Sequence, residues 1–304
     1  MLPLFPQFKR LETGDKQEVE YFTHSFPPYS DFNFASLWTW NIHDETELSL
    51  LNNNFTIKFR DYIANEYFYS FIGTNRVQES IETLLEYSQR KGFKKQLKLI
   101  PEHNFSKCDI NDIKNSLSIV EDRNNNDYIL SIEKLASMKG KKLHQKRKLL
   151  NRFLRKYDHE IVVQKIEEKG VETKVLDFFH QWKQIKEKYH SNNVYDLKAI
   201  QRLFIDPTTL NLNAMFIYNR HSLIGFTIFE ILDNGYAVSN FQKVNLIYDG
   251  VSESINYSLA KYLKKQGCIY INFQQDMGIP GLRRAKLDYD PTYLKKYIIK
   301  DKSC

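Results

Sequence analysis

Residues 214–244, AMFIYNRHSLIGFTIFEILDNGYAVSNFQKV, carry three strand-like runs in succession: Ala214–Tyr218, Leu223–Leu232 and Tyr236–Val244. Each is rich in β-branched and aromatic residues, the composition of a buried or half-buried strand. Upstream, Glu160–Ile166 reads as a strand, Val171–Lys188 as a long amphipathic helix and Asp196–Ile205 as a shorter one. Downstream, Val251–Lys265 places Ile255, Leu259, Tyr262 and Leu263 on one helical face and stops at Gly267. Ile269–Phe273 is a buried strand, Pro280–Asp288 a short helix with proline in its first turn, and Leu294–Ile299 a final strand.

The first half of the chain has the same order. A short apolar segment, Phe5–Leu11, precedes a helix with Thr13 as N-cap and apolar positions at Val19, Phe22 and Phe26. A second short helix, Phe32–Trp40, follows the Pro27-Pro28 break. Three strands come next: Glu47–Leu51, Phe55–Ile63 and Tyr67–Ile72. The second of them, FTIKFRDYI, alternates apolar and polar residues with period 2. Arg76–Lys91 repeats Val77, Ile81, Leu84 and Leu85 at helical spacing and ends at Gly92. Gln96–Ile100, Asn111–Leu117 and Tyr128–Ile132 read as strand, short helix and strand. Both halves therefore read β-α-α-β-β-β-α-β-α-β, over the ~130–150 residues expected of one domain. The expected division is residues 1–135, a connecting helix at 136–158, and residues 159–304. The pattern repeats although the residues do not, and the order is that of the GNAT (acyl-CoA N-acyltransferase) fold. The fold class expected is α+β: two tandem GNAT-like domains, each a mixed sheet flanked by helices. Two copies in tandem resemble the Fem-type aminoacyl transferases.

Composition bounds the alternatives. The 304 residues hold 21 Phe and 19 Tyr, which excludes disorder, and only 11 Gly and 8 Pro, which excludes collagen-like and low-complexity chains. The longest strongly apolar run, Leu223–Leu232, is interrupted by Glu230 and is far short of the roughly 20 residues a bilayer span needs. The first residues, MLPLFPQFKRLE, lack a basic segment followed by a long apolar one, so no secretory signal is expected there. Cys108, Cys268 and Cys304 form no CxxC pair, which fits a reducing compartment and gives no disulfide framework or zinc site. A soluble, cytoplasmic protein is expected. The eight histidines show no metal spacing, with His180 and His190 ten apart, and no G-x-S-x-G or Walker loop occurs. No metal is expected. Oligomeric state is not legible.

The net charge of +7 is concentrated at one place. From Lys139 to Lys156 the segment KGKKLHQKRKLLNRFLRK has no acid, and Leu143, Leu150, Leu154 and Tyr157 share a helical stripe. Lys141, Lys142, Lys146, Arg147 and Arg152 are candidates for holding tRNA or another polyanion. Arg147 falls near the centre of the apolar stripe and is expected at an interface, paired with an acid. A solvated linker helix is the other reading of the same segment.

The densest local signal is Tyr270–Lys286, YINFQQDMGIPGLRRAK. A buried strand ends in Gln274-Gln275-Asp276, and a Gly-x-Pro-Gly turn leads into a helix bearing Arg283, Arg284 and Lys286. Strand ends of α/β sheets are where ligands bind, and helix-start amides hold anions. The other wall is Asn240-Phe-Gln-Lys243 with the loop through Tyr248 to Gly250. A capped turn with solvated cations is the plain structural alternative. In the GNAT fold this loop cradles a cofactor pyrophosphate through an R/Q-x-x-G-x-G/A pattern. Here KVNLIYDGVSES has one glycine, and the first-half counterpart FIGTNRVQES only Gly73.

These segments carry a family resemblance. FPPYSDFNFASLW (26–38), YSFIG (69–73), EDRNNNDYI (121–129), KGKKLHQKRKLLNRF (139–153), NFQKV (240–244) and YINFQQDMGIPGLRRAKLDYDP (270–291) resemble the DUF2156 group, which is related to the C-terminal domain of phosphatidylglycerol lysyltransferases. Gly281-Leu282-Arg283, Lys286, Tyr289 and Pro291 follow the lysyltransferase pattern, whereas Asp288 stands where that family has a second lysine. The resemblance implies a transferase that moves an aminoacyl or acyl group onto an amine or hydroxyl of a small-molecule or peptide acceptor. Aminoacyl-tRNA or acyl-CoA would be the donor. Lys243, Arg283 and Lys286 would bind phosphate or steady an oxyanion. Asp276 would act as base or bind an ammonium, and Gln275 and Asn240 would orient substrate. Two alternatives remain: a non-catalytic tRNA- or polyanion-binding protein, and an acyl-CoA N-acyltransferase with a divergent pyrophosphate loop.

Overall fold

The computed structural model describes residues 1–61, 64–187 and 194–302. Ile63, Lys188, His190 and Cys304, used in the sequence reading, lie outside the described residues. Fourteen strands are present among the described residues. Six precede residue 122: β1 Lys9–Arg10, β2 Glu47–Leu51, β3 Asn54–Asp61, β4 Glu66–Ile72, β5 Gln96–Pro101 and β6 Leu117–Glu121. Eight follow: β7 Asp127–Ser131, β8 His159–Lys165, β9 Asn213–Asn219, β10 Ser222–Ile231, β11 Tyr236–Val244, β12 Tyr270–Asn272, β13 Thr292–Leu294 and β14 Lys296–Asp301. They form two mixed seven-stranded sheets, in the orders β1-β2-β3-β4-β5-β14-β6 and β13-β7-β12-β11-β10-β9-β8.

The two orders are copies of one plan with one strand exchanged. β14 lies between β5 and β6, antiparallel to both, while β7 pairs with β12 in the other sheet. Two compact units result: Met1–Asp127 with Gln275–Gly278 and the chain from Tyr293 onward, and Tyr128–Gln274 with Ile279–Thr292. The expected division at 135 and 159 is corrected accordingly. Strand propensity is local, but the partner of a strand is chosen by the slot left open in a sheet. β6 was also not expected. Its LSIVE turns Leu117 and Ile119 toward Ile299, and a helix over Ile110–Ser116 ends directly before it.

Each unit packs a helix of the expected face on its sheet. In the first, Val77, Ile81, Leu84 and Leu85 cover Tyr69, Phe71, Leu97 and Ile100. In the second, Val251, Ile255, Leu259 and Leu263 cover Met215, Ile217, Phe229 and Ala237. At roughly 25 cal/mol per Å² these apolar faces supply most of the driving force for each unit. The basic segment is not a connector. The helix His144–Lys156 belongs to the second unit, where Leu143, Leu150 and Phe153 join the core around Val251–Lys265. Phe153 is fully buried, while Leu154, placed on the stripe by sequence, is 40% exposed. The buried line runs 143, 146, 150, 153, so 154 falls past its edge. No described helix is long and apolar enough to cross a membrane.

Candidate active site

In the second unit the sheet opens at its centre. β11 and β12 run parallel and pair only at Tyr236–Tyr270, Ala237–Ile271 and Val238–Asn272. β11 continues to Val244, but beyond Asn272 the other strand turns its edge away. Phe273 N–H donates to the Tyr128 carbonyl at 2.8 Å, and Tyr128 N–H to the Gln274 carbonyl at 3.2 Å. The Asn272 side chain accepts Gln274 N–H at 2.6 Å, with Gln274 at φ +57°. A wedge therefore lies beside the last residues of β11. Asn240 stands at its start: Ile228 opposes Phe241 and Phe229 opposes Ser239, so Asn240 is the extra residue of a β-bulge. Its side chain is buried.

Lys286, on the helix Pro280–Leu287, closes the strand end. Its Nζ donates to the carbonyls of Phe273 at 2.6 Å and Gln274 at 3.2 Å and lies 5.4 Å from the Tyr128 ring centre. Arg283, three residues earlier on that helix, is half-buried. Lys243, at the far end of β11, pairs with Asp196 at 2.5 Å and sits over Trp182 at 4.5 Å. Tyr248 packs edge-on against Tyr157, and Gly250 precedes Val251–Lys265 at φ +85°.

Neither loop that a GNAT pyrophosphate would occupy is vacant. In the first unit the Asn54 side chain fills it: its amide donates to the Asn75 carbonyl and Ser80 Oγ, and its oxygen accepts Asn75 N–H. Gly73 N–H is taken by Asn104. In the second unit a β-carbon on Gly250 would lie 2.4 Å from the Leu149 carbonyl oxygen, the wrong polarity beside a phosphate. These residues do not fit the CoA pyrophosphate. CoA is expected to leave the thermal midpoint unchanged, where a bound site would raise it with ligand concentration.

Most of the basic segment is engaged within its own unit. Lys142 pairs with Asp290 at 2.6 Å and Arg152 with Asp249. Lys146 is nearly buried, 3.1 Å from Glu253 and 3.4 Å from Asp288, and lies over Tyr289. Arg147 donates to the carbonyls of Met138 at 2.7 Å and Gly140 at 3.4 Å and lies 3.3 Å from His144 Nδ1, so its partners are two main-chain oxygens and an imidazole and not the acid expected. Lys141 is exposed. An open depression of about 570 Å³ at the start of this helix is lined by Gly140, Lys141, Lys142, His144, Gln145 and Arg147.

Gln275 and Asp276 belong to the first unit. Asp276 is fully buried; one oxygen accepts Gly278 N–H at 2.8 Å and the other lies 3.5 Å from Arg123. Gln275 leads to a cluster that sequence reasoning missed. Its amide donates to Asp31 at 2.7 Å. Asp31 and Asp127 flank Lys296, whose Nζ is paired with Asp31 and lies 3.0 Å from Asp127. Ser30 completes the group, donating N–H at 2.7 Å and Oγ–H at 2.6 Å to Asp127. Lys296 and Asp127 have no exposed side-chain surface. Loss of water pushes the Asp31 carboxyl up against the pull of Lys296. Burial pulls Lys296 down, yet Asp127 and Asp31 together hold it above its ordinary value. The segments 26–38 and 121–129 were singled out as wholes, but nothing in their spacing marked Ser30, Asp31 or Asp127.

The profile described as phosphatidylglycerol lysyltransferase, C-terminal, matches residues 24–300. No curated protein sequence matches. Among solved structures, a conserved protein of unknown function from Bacteroides thetaiotaomicron VPI-5482 is 25% identical, with 99% of this chain and 100% of that one covered and a TM-score of 0.84. L-PGS from Bacillus licheniformis is 13% identical over 95% and 93% of the two chains, TM-score 0.59. FemX is 9% identical over 96% of each, TM-score 0.57. At such identities the last two speak to fold, and the fold is the tandem GNAT arrangement of mixed sheets flanked by helices.

Proposed function

The chain belongs to the phosphatidylglycerol lysyltransferase C-terminal family, and from that premise we propose that it transfers an aminoacyl group from an activated donor to an amine or hydroxyl acceptor at the wedge between β11 and β12. The observation that supports this is the three-residue pairing of those strands, with the Asn240 bulge at the opening and Lys286 fixing the opposite strand end. A carbonyl placed there has Asn240 on one side and the helix carrying Arg283 and Lys286 on the other. The acceptor's nitrogen or oxygen attacks the acyl carbon and passes its proton to solvent, and the bond to the donor's ester oxygen breaks as that oxygen takes up a proton from solvent and leaves as the hydroxyl. In this reading Lys286 is a positioning residue: it holds two carbonyls, and through them the edge on which the acyl group rests. Arg283 steadies the developing oxyanion. Lys243 braces the far wall through Asp196 and Trp182.

The donor is anionic in this reading, with aminoacyl-tRNA the candidate. The cationic depression at 140–147 supports it, with Lys141 and Lys142 as phosphate contacts and Lys146, Arg147 and Arg152 as the supports that shape the helix. Incubating the protein with charged tRNAs and acyl-CoAs tests the proposal; if the wild type consumes none, the transferase reading fails. Where transfer occurs, Lys286→Ala is expected to lower it about 100-fold, the usual effect of a misplaced reacting geometry. A second reading, binding without catalysis, is favoured by the same depression. It predicts tRNA affinity without turnover, and Lys141→Ala lowering the slope of log affinity against log salt by about 1.

A further inference from the structure

We propose that Ile279 and Leu282 form the wall that receives the side chain of the transferred acyl group, and that this side chain is apolar. The inference rests on the transfer reading and narrows its donor. The helix Pro280–Leu287 carries Lys286, yet none of its own residues is buried. Its turn continues to Tyr289, whose N–H donates to the Lys286 carbonyl at 3.1 Å. Leu282, Lys286 and Tyr289 follow at i, i+4 and i+7, so they share one side. That side looks onto the second unit: Tyr289 is buried in the core around Val251–Lys265, and Lys286 Nζ holds the Phe273 and Gln274 carbonyls. Leu282, one turn or about 5.4 Å along the axis from Lys286, has no such cover. It is 38% exposed, and Ile279, just before the helix, is 52% exposed. Ile279 is held in place, since its carbonyl accepts Arg283 N–H at 2.9 Å. Between the two, a β-carbon on Gly281 would meet no described atom within 4 Å, so the helix start borders open space.

The same segment turns a cationic side chain away. From Pro280 to Leu287 it holds Arg283, Arg284 and Lys286 and no acid. The acids that follow are already engaged: Asp288 with Lys146 at 3.4 Å, and Asp290 with Lys142 at 2.6 Å and Lys134 at 3.2 Å. A lysyl or arginyl side chain seated here loses water beside three cations and gains no carboxylate from the segment. An anionic side chain meets the cations but leaves Ile279 and Leu282 in water. An aliphatic or aromatic one covers both and removes apolar area from water. The wall adjoins the strand end that Lys286 fixes, so a side chain attached to the reacting carbonyl reaches it. Contacts of this kind discriminate by about tenfold or more per methylene.

The test is calorimetric binding of the full chain to stable 3′-amide analogues of aminoacyl-adenosine carrying leucine, alanine or lysine. The wild type is expected to bind the leucine analogue about tenfold or more tightly than the other two. Leu282→Asp removes apolar area and adds an acid, so it is expected to weaken the leucine analogue about tenfold, strengthen the lysine analogue and reverse their order. Ile279→Asp is expected to act in the same direction, whereas Leu282→Met keeps the wild-type order. Both positions are exposed, and an unchanged thermal midpoint confirms the fold. Binding without a leucine preference, or an unchanged ratio in Leu282→Asp, overturns the inference and leaves the transfer reading standing. Failure of every analogue to bind also overturns it, and the transfer reading is then decided separately by consumption of charged tRNAs. Association of two chains that Leu282→Asp abolishes, with no preference among the analogues, overturns it and assigns the wall to a second copy.

Discussion

Lys296→Met is expected to destabilise the first unit by about 3–5 kcal/mol, the cost of leaving a buried charge without its partner. The substitution leaves Asp127, which has no exposed surface, and Asp31 facing each other across an apolar side chain. Asp31→Asn is expected to cost far less at neutral pH. Burial holds the Asp31 carboxyl above its ordinary 3.8, so the folded chain binds that proton more tightly than the unfolded chain does. The sign follows: its ionisation costs stability as pH rises from about 3.8 through the folded value, and Asn removes that cost. Lys296 acts at the other end of the scale. Held above 10.5, it contributes fully below that value, and the contribution fades as pH rises through the folded value. Urea midpoints of wild type, Lys296→Met and Asp31→Asn at pH 5, 7 and 9 check the ranking. Equal losses for the two variants at pH 7 would remove Lys296 as the hub.

Gly250→Ala is the other large effect, about 2–4 kcal/mol. Two causes add. The residue sits at φ +85°, where an L side chain costs about 1–2 kcal/mol, and the new carbon meets the Leu149 carbonyl at 2.4 Å. A backbone oxygen cannot rotate away, so the helix His144–Lys156 must lift off Val251–Lys265. Gly267 isolates the first cause. It has φ +81° and no atom within 4 Å of the added carbon, so Gly267→Ala is expected to cost about 1–2 kcal/mol only. Thermal midpoints of the two alanine variants decide, and a Gly250 loss no larger than the Gly267 loss would show that the helix contact yields.

Much of this architecture is written locally. The alternation in β3, the helical spacing in Val77–Arg90 and Val251–Lys265, and the three runs of 214–244 each follow from side chains a few residues apart. The strand, turn and helix of Tyr270–Lys286 were legible for the same reason, whereas nothing in the sequence marked the bulge at Asn240 inside β11. What was not legible depends on distant partners. Ser30 meets Asp127 across 97 positions and Lys296 across 266, and no spacing rule spans such gaps. Lys146 read as a surface cation because its acids, Glu253 and Asp288, lie far along the chain. The exchange of β7 and β14 is invisible likewise, because each is an ordinary strand until a neighbour is chosen.

That exchange sets an order of events during synthesis. The slot between β5 and β6 is filled by Lys296–Asp301, so the sheet holding β1–β6 cannot close on the ribosome until those residues have emerged. Until then both flanking edges stay unpaired, the kind of edge that recruits other chains. A nascent fragment stalled at residue 158 should engage chaperones and precipitate when released, and a peptide spanning 293–302 supplied in trans should rescue its solubility.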